Sequence, residues 1–308
     1  MSEPMPPHTA FRSAPSAVTL HMLRSQGLIH AIEGDPQTTI RGVQHDSRKV
    51  QPGDMFVAIG GTLHEGANFV EEAILRGAVA VLSEHRLNTT LAQAIASQPR
   101  LALGQVAAMV YGYPTHALQV TGITGTNGKT TVSYLLEAAI AAAGGVPAVM
   151  GTINQRGPDY AKVSSHTTPE GDDIARFARA MVDKGATHLV MEVSSHALSL
   201  HRVDAVDFQV AAFTNLSQDH LDFHGQQEAY FEAKERLFKC LTPRASVINV
   251  DDVFGQRLLS TVQGSLVRCT LSSAMRESEF SVIDHVLSLN GIEARLATPK
   301  GELLVKSS

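Results

Sequence analysis

The segment Val120–Val132, VTGITGTNGKTTV, decides how this chain is read. A short apolar run, Leu118, Val120 and Ile123, enters a turn of glycine, threonine and asparagine. Lys129, Thr130 and Thr131 follow, and Leu135, Leu136 and Ala139 then recur at helical spacing. Strand, Gly-rich turn and helix start, in that order, form a cradle for a polyphosphate. Gly125 and Gly128 let backbone N–H groups close on phosphate oxygens, so residues 125–131 (Gly125, Thr126, Asn127, Gly128, Lys129, Thr130, Thr131) are the candidate loop. Lys129 reaches the terminal phosphates and Thr130 offers a hydroxyl to Mg²⁺. The strict spacing G-x-x-x-x-G-K-[ST] asks for glycine at 123, where this chain carries Ile123, so the loop is a variant.

The rest of the composition narrows the class. A chain of 308 residues suits two domains, and 44% hydrophobic residues with mean hydropathy near zero describe a globular protein. The net charge of −5 and the lack of any basic run argue against a nucleic-acid partner. No apolar run has the length of a membrane span. Residues 1–16, rich in Pro and Ser, read as a disordered tail with no signal-peptide core. Cys240 and Cys269 lack metal or redox spacing, which points to a reducing, cytoplasmic setting.

Periodicity predicts a helix over 17–27, strands over 39–45 and 55–59, a helix over 68–77, a strand over 79–82, a helix over 90–97, a strand over 101–103 and a helix over 105–111. This is one α/β unit, 17–115, closing at Tyr113-Pro114-Thr115. A second unit, 116–308, begins with the phosphate loop and its helix up to Gly144-Gly145. It continues with a strand over 148–152, a helix over 172–184 stopped by Gly185, and a strand over 188–193. A strand over 210–213, a polar loop over 214–225, a helix over 228–240, a strand over 246–250 and a hairpin over 282–305 turning at Asn290-Gly291 complete it. Ligands bind beyond the carboxyl ends of such strands, where the phosphate loop, Glu192 and loop 214–225 all fall. The sequence stops at Ser308 within strand-like residues, and a longer parent chain is the expectation.

Taken singly, the other candidates are ordinary. Glu192 sits where a phosphate-bridging Mg²⁺ needs a carboxylate, though a lone strand-end Glu is more often solvated. His220 lies among Asp219, Asp222 and His224, a metal-like composition. Lys234, on a helix between Glu232 and Glu235, is by default a solvated side chain. Ser47 in DSRKVQPGD reads as turn chemistry, and Arg202 as a clamp for carboxylate or phosphate.

Seven segments in order change those odds: HDSRKVQPGDMFVAIGG, GITGTNGKTT, HTTPE, MEVSSHAL, FTNLSQDHLDFHG, YFEAKERLF and INVDD. From about His45 onward the chain resembles the Mur ligase family, and within it the MurE-type branch that adds the third peptide residue of the peptidoglycan precursor. The resemblance implies an α/β fold. An N-terminal UDP-substrate domain (17–115) precedes a P-loop-type central ATPase domain (116–308) whose mainly parallel sheet is flanked by helices. On this reading a C-terminal amino-acid-binding domain is expected to be missing from the 308 residues. It implies ATP and Mg²⁺ as cofactors and a diamino acid joined to UDP-MurNAc-L-Ala-D-Glu through an acyl phosphate, by a monomer in the cytoplasm. By resemblance the catalytic residues are Lys129, Glu192, His220 and Lys234. Thr130, Glu192, His220 and a carbamylated Lys234 hold metal. His45, Ser47, Thr62, Leu63, His64, His166, Thr167, Thr168, Ser194 and Arg202 hold the UDP-substrate, and Gly61 and Gly66 keep a family glycine pair. Leu200 departs from a position that is polar in some relatives. A folate ligase of the same superfamily is the neighbouring reading, and the DSR…PGDMFVA unit argues against it.

Overall fold

The computed structural model describes residues 17–60, 66–271, 280–289 and 291–307. The expected tail 1–16, Gly61, the candidates Thr62, Leu63 and His64, and the expected turn residue Asn290 lie outside them. The first unit runs β1 (Val18–Thr19), α1 (Leu20–Ser25), β2 (Ala31–Glu33), β3 (Thr39–Ile40), β4 (Gly42–Gln44), β5 (Asp54–Val57), α2 (Val70–Leu75), β6 (Ala80–Ser83), β7 (Ala92–Ile95) and α3 (Pro99–Val110). The second runs β8 (Gln119–Thr124), α4 (Lys129–Ala142), β9 (Pro147–Met150), β10 (Asn154–Gly157), β11 (Tyr160–Val163), α5 (Gly171–Asp183), β12 (His188–Glu192), α6 (Ser195–Ser199), β13 (Val210–Phe213), α7 (Leu221–His224), α8 (Gln227–Lys239), β14 (Ala245–Asn249), α9 (Val253–Leu258), β15 (Ser265–Thr270), β16 (Phe280–Ser288), β17 (Gly291–Thr298) and β18 (Gly301–Ser307).

A sheet ordered β2-β7-β6-β5-β4, parallel except for β2, forms the first unit. The second is an eleven-stranded sheet, β11-β10-β9-β12-β8-β13-β14-β15-β16-β17-β18, parallel from β9 to β16 with antiparallel strands at both edges. Both faces of its middle are covered, so β12 carries the apolar run Leu189, Val190 and Met191, and β8 sends Val120 to one face and Ile123 to the other. Val120, Leu189 and Met191 face a core with Ile174 and Met181 of α5 and Leu237 and Phe238 of α8. Ile123, Val149 and Val190 face Val132, Leu136 and Ile140 of α4 on the other side. At the far edge the pairing places the ion pairs Asp284–Arg295 and Glu293–Lys306 on one face of β16–β18. Leu287, Ile292, Leu296 and Leu303 lie on the other.

The structure corrects several expected elements. Residues 92–95 form a strand, not part of a helix over 90–97: β7 pairs with both β2 and β6, and that pairing overrides the helix propensity of an Ala-rich segment. Leu101–Leu103 lies inside α3, not in a strand, because Pro99 at the first position starts a helix whose buried face includes Leu103, Val106 and Val110. The expected hairpin over 282–305 is a three-stranded meander with an irregularity between Val282 and Asp284. The strand over 39–45 breaks at Arg41, whose N–H bonds Gly53 O at 2.9 Å. The helix over 17–27 shortens because Val18 and Thr19 pair with β3. The β10–β11 hairpin, α6 and α9 were not expected from sequence.

The two units meet along α3 and α5. A Cβ on Gly171 would lie 2.6 Å from Gly104 Cα, whereas one on Gly104 would meet nothing closer than Ala205 Cβ at 3.5 Å. Beside this contact, buried Arg176 donates to Val43 O at 2.8 Å, Tyr111 Oη at 3.3 Å, Asp172 Oδ2 at 3.2 Å and Asp173 Oδ1 at 2.6 Å. His45 Nδ1 lies 2.8 Å from Asp172 Oδ1. Burial pushes the His45 imidazole down, but the charge and hydrogen bond of Asp172, with Asp173 and Glu170 behind it, outweigh burial and raise its pKa above 6.5. Burial likewise pushes Asp172 up, and His45 and Arg176 hold it below the usual carboxylate range.

Two outcomes follow for stability. Gly171→Ala should cost about 1–3 kcal/mol by overpacking against backbone, and Gly104→Ala less than that; denaturant unfolding of both variants measures the asymmetry. The His45 contribution is complete below about pH 6.5 and is lost as pH rises through its raised folded-state pKa. The wild-type Tm should therefore decline on the alkaline side of that value and His45→Gln should flatten the decline; superimposable profiles from about pH 5 to 9 would contradict the assignment.

Candidate functional site

The phosphate loop joins β8 to α4. Gly125 has φ 146° and Gly128 φ 84°, backbone that glycine adopts freely, and a Cβ at Gly125 would collide with Thr214 Oγ1. Segment 214–217 braces the loop: Thr126 N donates to Asn215 O at 2.8 Å, Asn127 N to Asn215 Oδ1 at 3.0 Å, Thr214 Oγ1 to Asn127 O at 2.7 Å and Ser217 N to Thr126 Oγ1 at 3.0 Å. Lys129, Thr130 and Thr131 open α4, where first-turn amides lack a carbonyl one turn back and the helix dipole favours anions.

Glu192 ends β12 between β8 and β9 and is only 1% exposed. Thr130 Oγ1 donates to its Oε2 at 2.8 Å, Thr152 Oγ1 to the same oxygen at 2.8 Å, and Thr152 N to Oε1 at 3.0 Å. Thr152 Oγ1 is 3.1 Å from Thr167 Oγ1. Thr168 Oγ1 donates to the Glu192 carbonyl at 2.8 Å and accepts from Ser194 N at 3.0 Å, and Arg202 Nη1 donates to Thr168 O at 3.0 Å. Candidates for nucleotide, metal and peptide substrate are thereby joined in one hydrogen-bonded network. Its oxygen-only donors, a carboxylate and hydroxyls, match what Mg²⁺ accepts.

Two lysines converge on the loop. Lys129 Nζ donates to Gly125 O and Thr126 O, both at 2.9 Å, and Lys234 Nζ donates to Gly125 O at 3.0 Å. Lys234 is 1% exposed, contrary to the solvated default for a helical lysine. Burial and the neighbouring Lys129 charge, opposed by Asp219, bring its pKa down to about 7. Burial lowers Lys129 too, against Glu192 and Asp219. Lys234 Nζ lies 4.4 Å from the Tyr230 ring centroid, and the His220 ring packs edge-on against the same tyrosine at 6.1 Å. His220 takes φ 52°, and its ring also meets His196 at 4.9 Å. An ammonium has no lone pair, so Lys234 suits a metal only in a carboxylated form, and its near-neutral amine fits that chemistry.

The first-unit candidates sit apart from this network. The His45 ring is engaged by Asp172, and buried Ser47 donates to Glu72 Oε2 at 2.6 Å. His166 is exposed, 3.1 Å from Ser165 Oγ. Sequence reasoning did not single out Thr152, Thr214, Asn215, Tyr230 or His196. Thr214 and Asn215 lie in loop 214–225, which was expected at a ligand-binding strand end, and Thr152 ends the strand expected over 148–152; Tyr230 and His196 fall within the segments YFEAKERLF and MEVSSHAL without a role of their own.

Comparisons with known proteins identify the family. The Mur ligase middle domain matches residues 123–308, and the Mur ligase family catalytic domain matches 39–120. The chain is 42% identical over 244 residues to the UDP-N-acetylmuramoyl-L-alanyl-D-glutamate–2,6-diaminopimelate ligase of Caldanaerobacter subterraneus subsp. tengcongensis, covering 79% of this chain and 50% of the relative. It is 44% identical over 274 residues to the ligase of the same name from Geobacter metallireducens, covering 86% and 53%. A solved structure of a ligase of that name superimposes with TM-score 0.79 at 31% identity, over 94% of this chain and 60% of that one. The chain thus spans about half the length of these two curated relatives. With matched domains covering most of its length, the chain belongs to the Mur ligase family.

Proposed function

We propose that this chain carries the nucleotide and UDP-substrate sites of an ATP-dependent ligase that joins a diamino acid to UDP-MurNAc-L-Ala-D-Glu. The names of the relatives favour 2,6-diaminopimelate over L-lysine. The observation that carries the reading is the convergence of Thr130, from the phosphate loop, and Thr168, from the candidate peptide side, on Glu192, with Thr167 joined to it through Thr152.

In this reading the terminal carboxylate of the UDP-muramoyl dipeptide attacks the γ-phosphorus of ATP, giving an acyl phosphate and ADP. The diamino acid's amine then attacks the acyl carbon, phosphate leaves and the amine loses a proton. Lys129 and the first amides of α4 hold the phosphates. Arg202 and Ser194 orient the peptide, so that attack distance replaces collision frequency. Thr130 and Glu192 would hold one Mg²⁺, and His220 with a Lys234 carbamate a second; bound there, the cations neutralise phosphoryl charge. His45 and Ser47, with 62–64, serve the uridine end in the same proposal, and the protein acts as a cytoplasmic monomer.

Calorimetry with UDP-MurNAc-L-Ala-D-Glu, a folate and a non-hydrolysable ATP analogue tests the proposal. The muramoyl dipeptide should bind and the folate should not. Lys129→Ala should lose nucleotide affinity by about 10-fold or more, as for a buried charge-assisted contact, while keeping the UDP-substrate. Equal loss of both ligands, or binding of the folate alone, would overturn it. For Lys234, ¹³C-bicarbonate with Mg²⁺ and nucleotide should give a carbamate NMR signal that rises as pH passes about 7 and the amine deprotonates. Lys234→Ala should abolish that signal and cost about 10- to 100-fold in metal affinity. A signal equally strong in the variant would refute the site.

A further inference from the structure

A cavity of about 80 Å³ lies where the first unit, the β10–β11 hairpin and α5 meet. Lys49 of the first unit, Tyr160 and Lys162 of β11, Ser165 just beyond it and Phe177 of α5 line it. None of the site residues assigned above does so. Its neighbours in sequence give it meaning. Lys49 stands two residues past Ser47, and Ser165 and Pro169, both in the lining, flank His166, Thr167 and Thr168. The cavity is thus walled by near neighbours of substrate candidates from both units. It is far smaller than the roughly 300–1,000 Å³ that encloses a whole small-molecule ligand, so it suits one part of a longer one.

Its charges favour an anion. Asp173 and Arg176 also line it, and they spend their charges on each other, with Nη1 donating to Oδ1 at 2.6 Å. Lys49 Nζ lies 3.4 Å from Asp46 Oδ2, but Arg48 already grips that carboxylate at 2.8 and 3.0 Å. Lys162 is exposed and makes no ion pair among the described residues. The Tyr160 and Phe177 rings meet edge-on at 5.6 Å and form an apolar wall, beside which an ammonium attracts an anion more strongly than in open water.

We propose that Lys49 and Lys162 hold the diphosphate of the UDP-substrate, with one ammonium from each unit; this rests on the reading that Ser47 and Thr168 belong to that substrate's site. An ammonium is a compact charge with three donors, suited to phosphoryl oxygens that change orientation as the sugar and base settle. The diphosphate links uridine to sugar, so a cation from each unit grips the substrate at the joint between its two halves. Among the described residues, neither lysine bonds or pairs with the phosphate loop or with the residues around Glu192, so removing them leaves the nucleotide site as it is.

The test uses calorimetry with UDP-MurNAc-L-Ala-D-Glu, a non-hydrolysable ATP analogue and UDP as competitor, at low and high salt. The proteins are wild type, Lys49→Ala, Lys162→Ala and Lys162→Glu. Each alanine variant should weaken the UDP-muramoyl dipeptide about 3- to 10-fold, as for a partly solvated charged contact, and leave the ATP analogue within about twofold. Lys162→Glu should cost more, and high salt should narrow its gap from wild type, which loss of a merely structural contact would not do. UDP has no peptide carboxylate, so it should compete in wild type and lose as much as the dipeptide does in Lys162→Ala. Wild-type dipeptide affinity in Lys162→Ala and Lys162→Glu would overturn the proposal. So would equal loss of the ATP analogue, or UDP that fails to compete or is insensitive to Lys162. If Lys49→Ala fails to fold, the variants at exposed Lys162 decide. Failure of the wild-type chain to bind the UDP-muramoyl dipeptide would overturn the functional reading itself; binding that ignores both lysines overturns only this inference.

Discussion

A single buried carboxylate, Glu192, sets the terms for the rest of the cleft. Removing its charge from water is unfavourable unless donors surround it. The donors are two threonine hydroxyls and an amide, brought by two elements: Thr130 by α4, and Thr152 by the turn after β9. Strand β12 lies between β8 and β9, so the carboxylate emerges beside the phosphate loop that follows β8 and the turn that follows β9. A Cβ at Gly151 would meet Glu192 Oε1, which explains why the chain passes so close on that side. Hydroxyls and an amide satisfy a carboxylate without neutralising it, leaving its charge for a cation.

The two lysines give the opposite sign to the other half of the cleft. Lys129 and Lys234 donate to one carbonyl; Lys234 is buried and Lys129 half-buried. Their mutual repulsion and burial explain why Lys234 is the more strongly depressed, since it is the deeper of the two and has carboxylate help only from Asp219. A positive loop beside a negative strand end suits a bridged polyphosphate, in which oxygens meet the lysine and a cation meets the carboxylate.

Much of this was legible in the sequence, and what was not shares a cause. The phosphate loop, Glu192 and the strand–helix order of the second unit follow from local chemistry: glycines where φ is positive, a lysine at a helix start, apolar runs of strand length. The mistakes at 90–97 and 101–103 arise where a short apolar or Ala-rich run suits either element and only its sheet neighbours decide. Lys234 looked solvated because Glu232 and Glu235 flank it in sequence, while its own face of α8 points at Gly125, 109 residues away. Thr152, Thr214 and Asn215 are ordinary loop residues until three carboxyl strand ends bring them together. His45 and Ser47, expected as substrate contacts, also make bonds that local sequence does not show, to Asp172 and Glu72.

The Gly104–Gly171 contact also has a mechanical side. Backbone meets backbone there with no side chain between, so any rotation of one unit against the other would pivot close to it. Glu170 is one residue from that point, ~3.8 Å. A roll of ~10° would move it by under ~1 Å, little enough to keep its ion pairs with Arg100 of the first unit and Arg202 of the second, yet would carry the far end of α5, ~18 Å off at ~1.5 Å per residue, through about 3 Å. The fold thus holds its inter-unit grip on the slow-moving part of the lever and leaves the long displacement to the β10–β11 hairpin packed against the distant turns of α5.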